Sequence, residues 1–151
     1  APNANSYRRF KANSYAPTAT AWGVNNRTVS FRVPAGAAHT RHIEHRVAGA
    51  DAHPALAVAA LLAAVHHGLT EKLDPGPPVV GDGYAQAGGE GGERIPVNWF
   101  AAIDRFAQSE RLKDYLGERF VRTFAAVKRT EQERFYGVIS EVDYDWCLRG
   151  A

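Results

Sequence analysis

Residues 41–54 constrain the fold more than any other segment, because they join two different hydrophobic periods. His42, Glu44 and Arg46 alternate with less polar residues, so they share one face of a predicted strand. A turn follows, and then an Ala-rich run begins at Pro54, a residue suited to the first turn of a helix. A strand with a charged face that leads into an apolar helix predicts a mixed fold of the α+β class.

Two further strands are predicted before this segment, at residues 18–24 and 28–33. Asn25 and Asn26 separate them and are typical of a turn. In the second strand the polar residues, which include Arg32, alternate with apolar ones. Strands that each carry a charged face predict a sheet whose polar side lines a cavity.

Most of the remaining chain is predicted to be helical. The helices are expected at residues 54–73, 98–108, 109–116 and 118–138, with a short amphipathic tail at 142–148. The first of them is so rich in Ala, Leu and Val that we expect it to be buried on most sides. Polar residues 1–16 are expected to form a loop that crosses a site, and Gly-rich residues 81–94 a mobile surface loop.

The composition excludes several classes of function. With 151 residues, 45% of them apolar and 23% charged, the chain is typical of one soluble globular domain. The net charge of +2 comes from mixed signs, and no apolar run reaches the ~20 residues of a membrane span, so neither nucleic-acid nor membrane binding is expected. The single Cys147 favours a reducing cytoplasm. Because the chain contains no methionine, we expect it to be a fragment.

Glu44 is the main candidate for chemistry. Its position beside Arg46 is consistent with an ion pair on a solvated sheet. It is also consistent with an oxygen ligand for Mg²⁺ or Mn²⁺ that bridges nucleotide phosphates. Arg9, Arg27 and Arg32 leave a similar choice, between solvated charge and guanidinium groups that bind carboxylates or phosphates in a bidentate way.

The histidines and glycines alone predict neither a zinc site nor a phosphate-binding loop. His39, His42 and His45 are spaced by three, which on a strand sends His42 to the face opposite the other two. The Gly-rich residues 81–94 lack the Lys-Ser/Thr signature of a P-loop.

Several short motifs, which follow one another along most of the chain, resemble those of the glutamine synthetase family. They are Asn5-Ser6-Tyr7-Arg8-Arg9, Ala16-Pro17-Thr18, Trp22-Gly23, Asn26-Arg27-Thr28, Ile43-Glu44-His45-Arg46, Gly49-Ala50-Asp51-Ala52, Pro75-Gly76-Pro77-Pro78 and Tyr115-Leu116-Gly117. The order of the motifs is that of the family, and the matching part is the C-terminal part of the catalytic domain.

The resemblance implies both a fold and a reaction. Residues 1–151 would contain antiparallel strands of the family's catalytic barrel packed with several C-terminal helices. The N-terminal β-grasp domain and the first part of the catalytic domain would be absent. The full-length parent would be an ATP-dependent ligase that forms γ-glutamyl phosphate from glutamate and then an amide with an amine or ammonia. Such enzymes use Mg²⁺ or Mn²⁺ and assemble as rings, so the resemblance implies a ring-shaped homo-oligomer.

The resemblance also implies roles for individual residues. Glu44 would bind a metal ion between the ATP phosphates. Arg46 would be catalytic and would bind substrate, since it matches the family's arginine at the transferring phosphoryl group. Arg9 would bind the α-carboxylate of glutamate. Arg27 would contact the phosphoryl group of ATP and the acyl substrate as a catalytic residue, and Arg32 would contact ATP.

Three departures from the family pattern affect these expectations. Tyr15 stands where ammonia-using members carry a flap glutamate, which favours substrate binding as in the γ-glutamylputrescine synthetase-like, amine-ligating branch. His39 and His42 stand at ATP-binding positions where the family has Lys or Arg. The family's other metal ligands lie outside this chain, so we expect the fragment alone to be inactive. A true ammonia-using glutamine synthetase and a non-catalytic scaffold descendant remain alternatives.

Overall fold

The computed structural model of the chain describes residues 1–86 and 93–148 and shows an α+β fold, as the sequence predicts. The chain divides into two compact units, residues 1–102 and residues 103–151. The first unit holds the sheet and the second holds most of the C-terminal helices. Among the described residues, no helix is long and apolar enough to cross a membrane.

A three-stranded sheet in the order β1-β2-β3 organises the first unit. Its strands are β1 (Trp22–Val24), β2 (Phe31–Val33) and β3 (Glu44–His45). β2 and β3 are antiparallel, and Arg32 lies directly opposite Glu44. The predicted strands are all longer than the strands that form.

The expectation of antiparallel strands is wrong for β1 and β2, which pair in parallel. The physical reason lies in the turn between them. The side chain of Asn26 donates to the carbonyls of residues 79 and 81, so the turn is held away from a hairpin path. The chain therefore comes back beside the start of β1, where the Phe31 amide donates to the carbonyl of Ala21 over 3.0 Å.

The N-terminal segment is more ordered than the predicted loop. Residues Ala4–Arg9 form a 3-10 helix, which Asn3 caps. The Asn3 side chain accepts from the Ser6 amide, and the Ser6 side chain accepts from the Asn3 amide, which is a capping box. A second 3-10 helix covers Ala38–Thr40. The first helix places Arg9 in its last turn.

The long Ala-rich helix forms as α1 (Pro54–Thr70), but the expectation that it is buried on most sides is wrong. None of its residues is buried, and Leu62 and Leu69 are 62% and 75% exposed. A helix that is apolar on all faces needs neighbouring elements on several sides, and the described residues of the first unit do not supply them. The sequence of α1 therefore determines that it is helical but does not determine which elements pack against it.

The predicted loop at residues 81–94 lies partly outside the described residues. Within the described part, Gly83–Gln86 form a short helix, α2, and Arg94 forms a β-bridge with Ala19. Next to that bridge Phe10, Ala16 and Ile95 form a small apolar core, against which partly buried Tyr7 and Val47 pack. This core joins the N-terminal segment to the chain that follows β3.

Four helices complete the described chain close to the predicted boundaries. They are α3 (Trp99–Gln108), α4 (Glu110–Leu116), α5 (Glu118–Tyr136) and α6 (Glu141–Leu148). In the second unit Phe124 lies 5.2 Å from Phe106 between ring centroids, and Val121 and Ala125 are buried. The predicted tail is a helix, but every residue of α6 is exposed, so it shows no buried face.

Candidate active site

The carboxylate of Glu44 lies between two guanidinium groups. Its Oε2 accepts from Nη1 of Arg32 at 2.9 Å, and its Oε1 accepts from Nη1 of Arg46 at 2.7 Å. The sheet explains the geometry, because Arg32 is the cross-strand partner of Glu44 and Arg46 lies two residues further along the same face. The predicted common face of Glu44 and Arg46 is therefore confirmed, and Arg32 joins them in what we call the Glu44 cluster.

The two arginines keep Glu44 ionised. Partial burial on its own would raise the pKa of Glu44, but hydrogen bonds and positive charge from Arg32 and Arg46 outweigh burial and hold the pKa below its ordinary value. Both arginine side chains are largely buried, 18% and 15% exposed, whereas that of Glu44 is 37% exposed. Among the described residues, the Nε atoms of both arginines have no acceptor. The cluster therefore holds a net positive charge and spare donors.

An open cleft of about 520 Å³ lies on the same unit as the Glu44 cluster. Its lining combines one cation with amides and apolar side chains. It is formed by Tyr15, Val24, Asn25, Asn26, Arg27, Thr28, Pro78, Val79, Val80 and Gly81. Arg27 is exposed, and in the part of the chain that the structure describes its side chain has no hydrogen bond or ion pair. It is thus available to an anionic ligand.

Two hydrogen bonds connect the Glu44 cluster to the lining of this cleft. Nη2 of Arg32 donates to Oδ1 of Asn25 at 2.7 Å, and Nη2 of Arg46 donates to the carbonyl of Tyr15 at 2.7 Å. Tyr15 and Asn25 both have positive φ, 55° and 52°, which is uncommon for residues other than glycine. The structure thus brings the Glu44 cluster and two further predicted site residues, Arg27 and Tyr15, into one region.

Arg9 contacts the backbone at the end of β3. Its Nη2 donates to the carbonyl of Arg46 at 3.2 Å and to that of Val47, and its guanidinium lies 4.8 Å from the centre of the Phe10 ring. Its Nε is buried without an acceptor among the described residues. Arg9 therefore fixes the backbone at Arg46 and Val47, just after β3. Its role in substrate binding stays a prediction.

His39 and His42 are both exposed and lie outside the Glu44 cluster. His39 belongs to the second 3-10 helix, and Nδ1 of His42 lies 2.9 Å from the carbonyl of Thr40. His45 lies on the opposite face of β3 and stacks on Phe31 with ring centroids 5.1 Å apart. Burial, followed by the charge of the N-terminal amino group and that of Arg9, lowers the pKa of His45. Because β3 contains only Glu44 and His45, His42 lies outside the strand, and the predicted separation of His42 and His45 by strand face does not apply.

Asp51 is an anchor that the sequence pattern does not reveal. Its Oδ2 accepts from the hydroxyl of Ser6 and, at 3.1 Å, from Nδ2 of Asn3. The hydrogen bond from Ser6 is the main cause that lowers the pKa of Asp51. Burial, with a smaller effect of the Asp51 charge, raises the pKa of Tyr7 to about 12. The spacing of Asn3 and Ser6 is a helix-capping signal. No local signal in the sequence indicates that Ser6 also bonds to Asp51, which lies 45 residues away.

Among the described residues, Glu44 is the one candidate ligand that this site offers to a metal ion. Those residues contain no group of three or more His, Cys, Asp or Glu that could hold one. Each oxygen of Glu44 accepts one hydrogen bond, which leaves a lone pair on each for a hard cation, and the side chain is partly exposed. A divalent cation beside two guanidiniums would need further anionic ligands, such as phosphate oxygens, from outside the described residues.

The Glu44 cluster is hydrogen-bonded to the lining of an open cleft that carries the cation Arg27, an arrangement whose charge suits anionic ligands. Comparison with known proteins identifies the family. The profile described as "Glutamine synthetase, catalytic domain" matches residues 1–147. The chain belongs to the glutamine synthetase catalytic-domain family.

Individual relatives include both amine ligases and glutamine synthetases. The γ-glutamylputrescine synthetase PuuA of Escherichia coli K12 is 42% identical over 100% of this chain and 31% of its own length. The γ-glutamylethanolamide synthetase GlnA4 of Streptomyces coelicolor is 35% identical over 99% of this chain and 30% of its own length. The type-1 glutamine synthetase 2 of Dictyostelium discoideum is 37% identical over 89% of this chain and 26% of its own length.

A solved structure agrees with these sequence relatives. GmaS without ligand superimposes with a TM-score of 0.78 at 32% identity, over 97% of this chain and 33% of that chain. The chain thus spans about a third of the length of the proteins it matches. The resemblance expected from the short motifs is confirmed at the level of the family.

Proposed function

We propose that this chain supplies the arginine-rich part of the active site of an ATP-dependent glutamate–amine ligase. Residues 1–151 correspond to the C-terminal part of the catalytic domain, and the other ligands come from parts of the enzyme that these residues do not include. The observation that carries the proposal is the Glu44 cluster beside the cleft in which Arg27 has no partner among the described residues. Family membership supports a ligase, since the relatives are named as amide-forming enzymes of glutamate or as glutamine synthetases.

The charges of the site suit phosphoryl transfer to a carboxylate. In that reaction the γ-carboxylate oxygen of glutamate attacks the γ-phosphorus of ATP, the bond to the bridging oxygen breaks, and ADP leaves. Negative charge accumulates on the transferring group, and fixed cations lower the barrier because they need no reorganisation. We assign Arg27 and Arg46 to that group and to the acyl substrate, Arg32 to ATP, and Arg9 to the α-carboxylate of glutamate. His39 and His42 are proposed to lie at the edge of the ATP site.

Glu44 is proposed as one oxygen ligand of Mg²⁺ or Mn²⁺. When bound, such an ion orients the phosphates of ATP and neutralises part of their charge. The two arginines contribute from the protein side: they keep the carboxylate ionised and fix its orientation. Polyphosphate is the ligand that reconciles a divalent ion with two neighbouring guanidiniums, because its own charge offsets both.

The amine is proposed to be larger than ammonia. Tyr15 stands where ammonia-using members of the family carry an acid, its side chain is 66% exposed, and it lines the cleft. Several relatives are named for larger amines, namely putrescine, ethanolamine and isopropylamine. Ammonia is the alternative acceptor, since named glutamine synthetases are also similar over most of this chain. We further propose that the enzyme works in the cytoplasm as a ring-shaped homo-oligomer.

The experiment is amine-dependent release of phosphate from ATP with glutamate and Mg²⁺. It uses the full-length enzyme that is proposed to contain residues 1–151, which is called the intact protein here and below. Putrescine, ethanolamine, isopropylamine and ammonium are titrated separately, and the γ-glutamyl amides are identified by mass. We expect one of the larger amines to give the highest kcat/KM. Saturation by ammonium at low concentration, with the larger amines inert, would show that the protein is a glutamine synthetase. Absence of phosphate release with every acceptor would overturn the ligase proposal and favour a non-catalytic scaffold.

A further inference from the structure

One wall of the cleft is attached to the turn that carries Arg27. The wall consists of Pro78, Val79, Val80 and Gly81, and the Arg27 turn of residues 25–28 lines the same cleft. The wall is also bonded to strand β1, since the Val79 amide donates to the carbonyl of Trp22 at 2.8 Å. Within the segment itself, Nε2 of Gln86 donates to the carbonyl of Val80 at 3.1 Å. Side chains of the Arg27 turn make further bonds to the wall, so the position of the wall and that of the turn depend on each other.

The amide group of Asn26 makes the largest share of these bonds. Its Nδ2 donates to the carbonyl of Val79 at 3.1 Å and to that of Gly81 at 3.0 Å. Its Oδ1 accepts from the amide of Thr28 at 2.9 Å and from the hydroxyl of Thr28 at 2.7 Å. An asparagine side chain has two donor hydrogens and two acceptor lone pairs, so the hydrogen-bonding capacity of Asn26 is fully used.

Thr28 extends the connection by one more residue. Its hydroxyl donates to Asn26 and accepts from the amide of Gly83 at 2.9 Å, where α2 begins. The contact is tight, because a Cβ on Gly83 would lie 2.7 Å from Oγ1 of Thr28 and a Cβ on Gly23 would lie 2.8 Å from the carbonyl oxygen of Val79. The segment that carries the wall is therefore packed closely against Thr28 on one side and against β1 on the other.

Arg27 lies between these two anchoring residues and has no partner among the described residues. Its backbone is thus held on both sides while its guanidinium stays free. We propose that Asn26 is a positioning residue for Arg27: it fixes the cleft wall to the Arg27 turn and so sets where the free guanidinium meets its ligand. This inference rests on the proposed function, in which Arg27 contacts the transferring phosphoryl group.

The test compares variants that break the attachment with variants that make the same chemical change elsewhere. Asn26→Asp removes both donor hydrogens and sets a carboxylate against two carbonyls. Thr28→Val removes the hydroxyl at nearly constant shape and adds no charge, so it separates loss of the bonds from a new ion pair with Arg27. The matched controls are Asn98→Asp and Thr130→Val. Among the described residues, the Asn98 side chain uses only Oδ1, which accepts from the amide of Ala101, and Thr130 lies at an exposed position of α5.

The intact protein is assayed for kcat and KM at saturating amine, and its local amide exchange is followed by mass spectrometry. In both test variants we expect faster exchange in residues 76–86 and a kcat per folded protein lower by about 10- to 100-fold, because small misplacements of a catalytic group cost that much. KM for ATP should change by no more than about threefold, and the controls should match the wild type. A purely structural role would reduce the amount of folded protein and leave kcat per active site unchanged.

The outcomes separate this inference from the proposed function. If the wild-type protein releases no phosphate, the ligase proposal fails, and the role of Asn26 fails with it. If the wild type is active and both test variants keep its kcat, only the positioning role is overturned. Faster exchange of the wall without any loss of kcat overturns the positioning role as well, because the wall would then be attached for a reason other than catalysis.

Discussion

Replacement of Glu44 by Gln separates the binding role of this residue from its structural role. Gln keeps the size of the side chain but removes the charge, and it presents an amide group where one of the two arginines now donates. The carboxylate is 37% exposed, so solvent screens both ion pairs. Exposed pairs contribute about 0.2–1 kcal/mol each, and we therefore expect a loss of about 0.5–2 kcal/mol in the free energy of unfolding.

The expected effect on ligand binding is larger. Substitution of a residue that merely orients a metal ligand already weakens metal binding by about 10- to 100-fold. Loss of the ligand itself should therefore weaken binding of Mg²⁺–ATP or Mn²⁺–ATP by at least about 100-fold, or ~2.7 kcal/mol. Titration calorimetry of the intact protein with metal–ATP measures the affinity, and thermal unfolding measures the stability.

The control is Glu110→Gln on α4. Glu110 also pairs with one cation, Lys113 at 2.5 Å, but it is 80% exposed and lies in the other unit. We expect wild-type affinity and nearly wild-type stability for it. If Glu44→Gln lowered stability while its metal–ATP affinity stayed within about threefold of the wild type, less than ~0.7 kcal/mol, Glu44 would be a structural ion-pair partner and not a ligand.

Three further predictions concern acid stability, catalysis and amine choice. The folded-state pKa values of Glu44 and Asp51 are lowered, so the stabilisation that these carboxylates give is complete above the ordinary carboxyl pKa near ~4 and is lost as the pH falls through the folded-state values. The melting temperature should drop over that acidic range, and it should drop less steeply in Asp51→Asn than in the wild type. Arg27→Lys should lower kcat for phosphate release by at least about tenfold, because a lysine cannot bind in a bidentate way, whereas Arg122→Lys at an exposed position of α5 should leave kcat unchanged. Tyr15→Glu should raise kcat/KM for ammonium relative to the preferred amine by about tenfold or more, measured by competition between the two acceptors, and an unchanged ratio would contradict the role given to this position.

The local parts of the site could be predicted from the sequence. The alternation of residues around β3 is set by the two-residue period of a strand, so the common face of Glu44 and Arg46 follows from spacing alone. The helix start at Pro54 and the helices of the second unit follow from local composition and capping in the same way. These features depend only on residues that are near one another in the chain.

The features that the sequence did not predict depend on distant residues. The parallel pairing of β1 and β2 follows from the bonds of Asn26 to a segment 53 and 55 residues away. The attachment of Ser6 to Asp51 spans 45 residues. The exposure of α1 shows the opposite case, since a correct helix prediction says nothing about which elements cover it. Local propensity decides the state of a segment, and only long-range contacts decide its neighbours.

The fate of an oxygen atom tests the central claim most directly. Glutamate labelled with ¹⁸O in its γ-carboxylate is turned over by the intact protein with ATP, Mg²⁺ and the preferred amine. If the carboxylate attacks the γ-phosphorus and the amine then displaces phosphate, one labelled oxygen leaves in inorganic phosphate for each amide formed. We predict that ratio. Label in AMP, or phosphate without label while the amide accumulates, would contradict it.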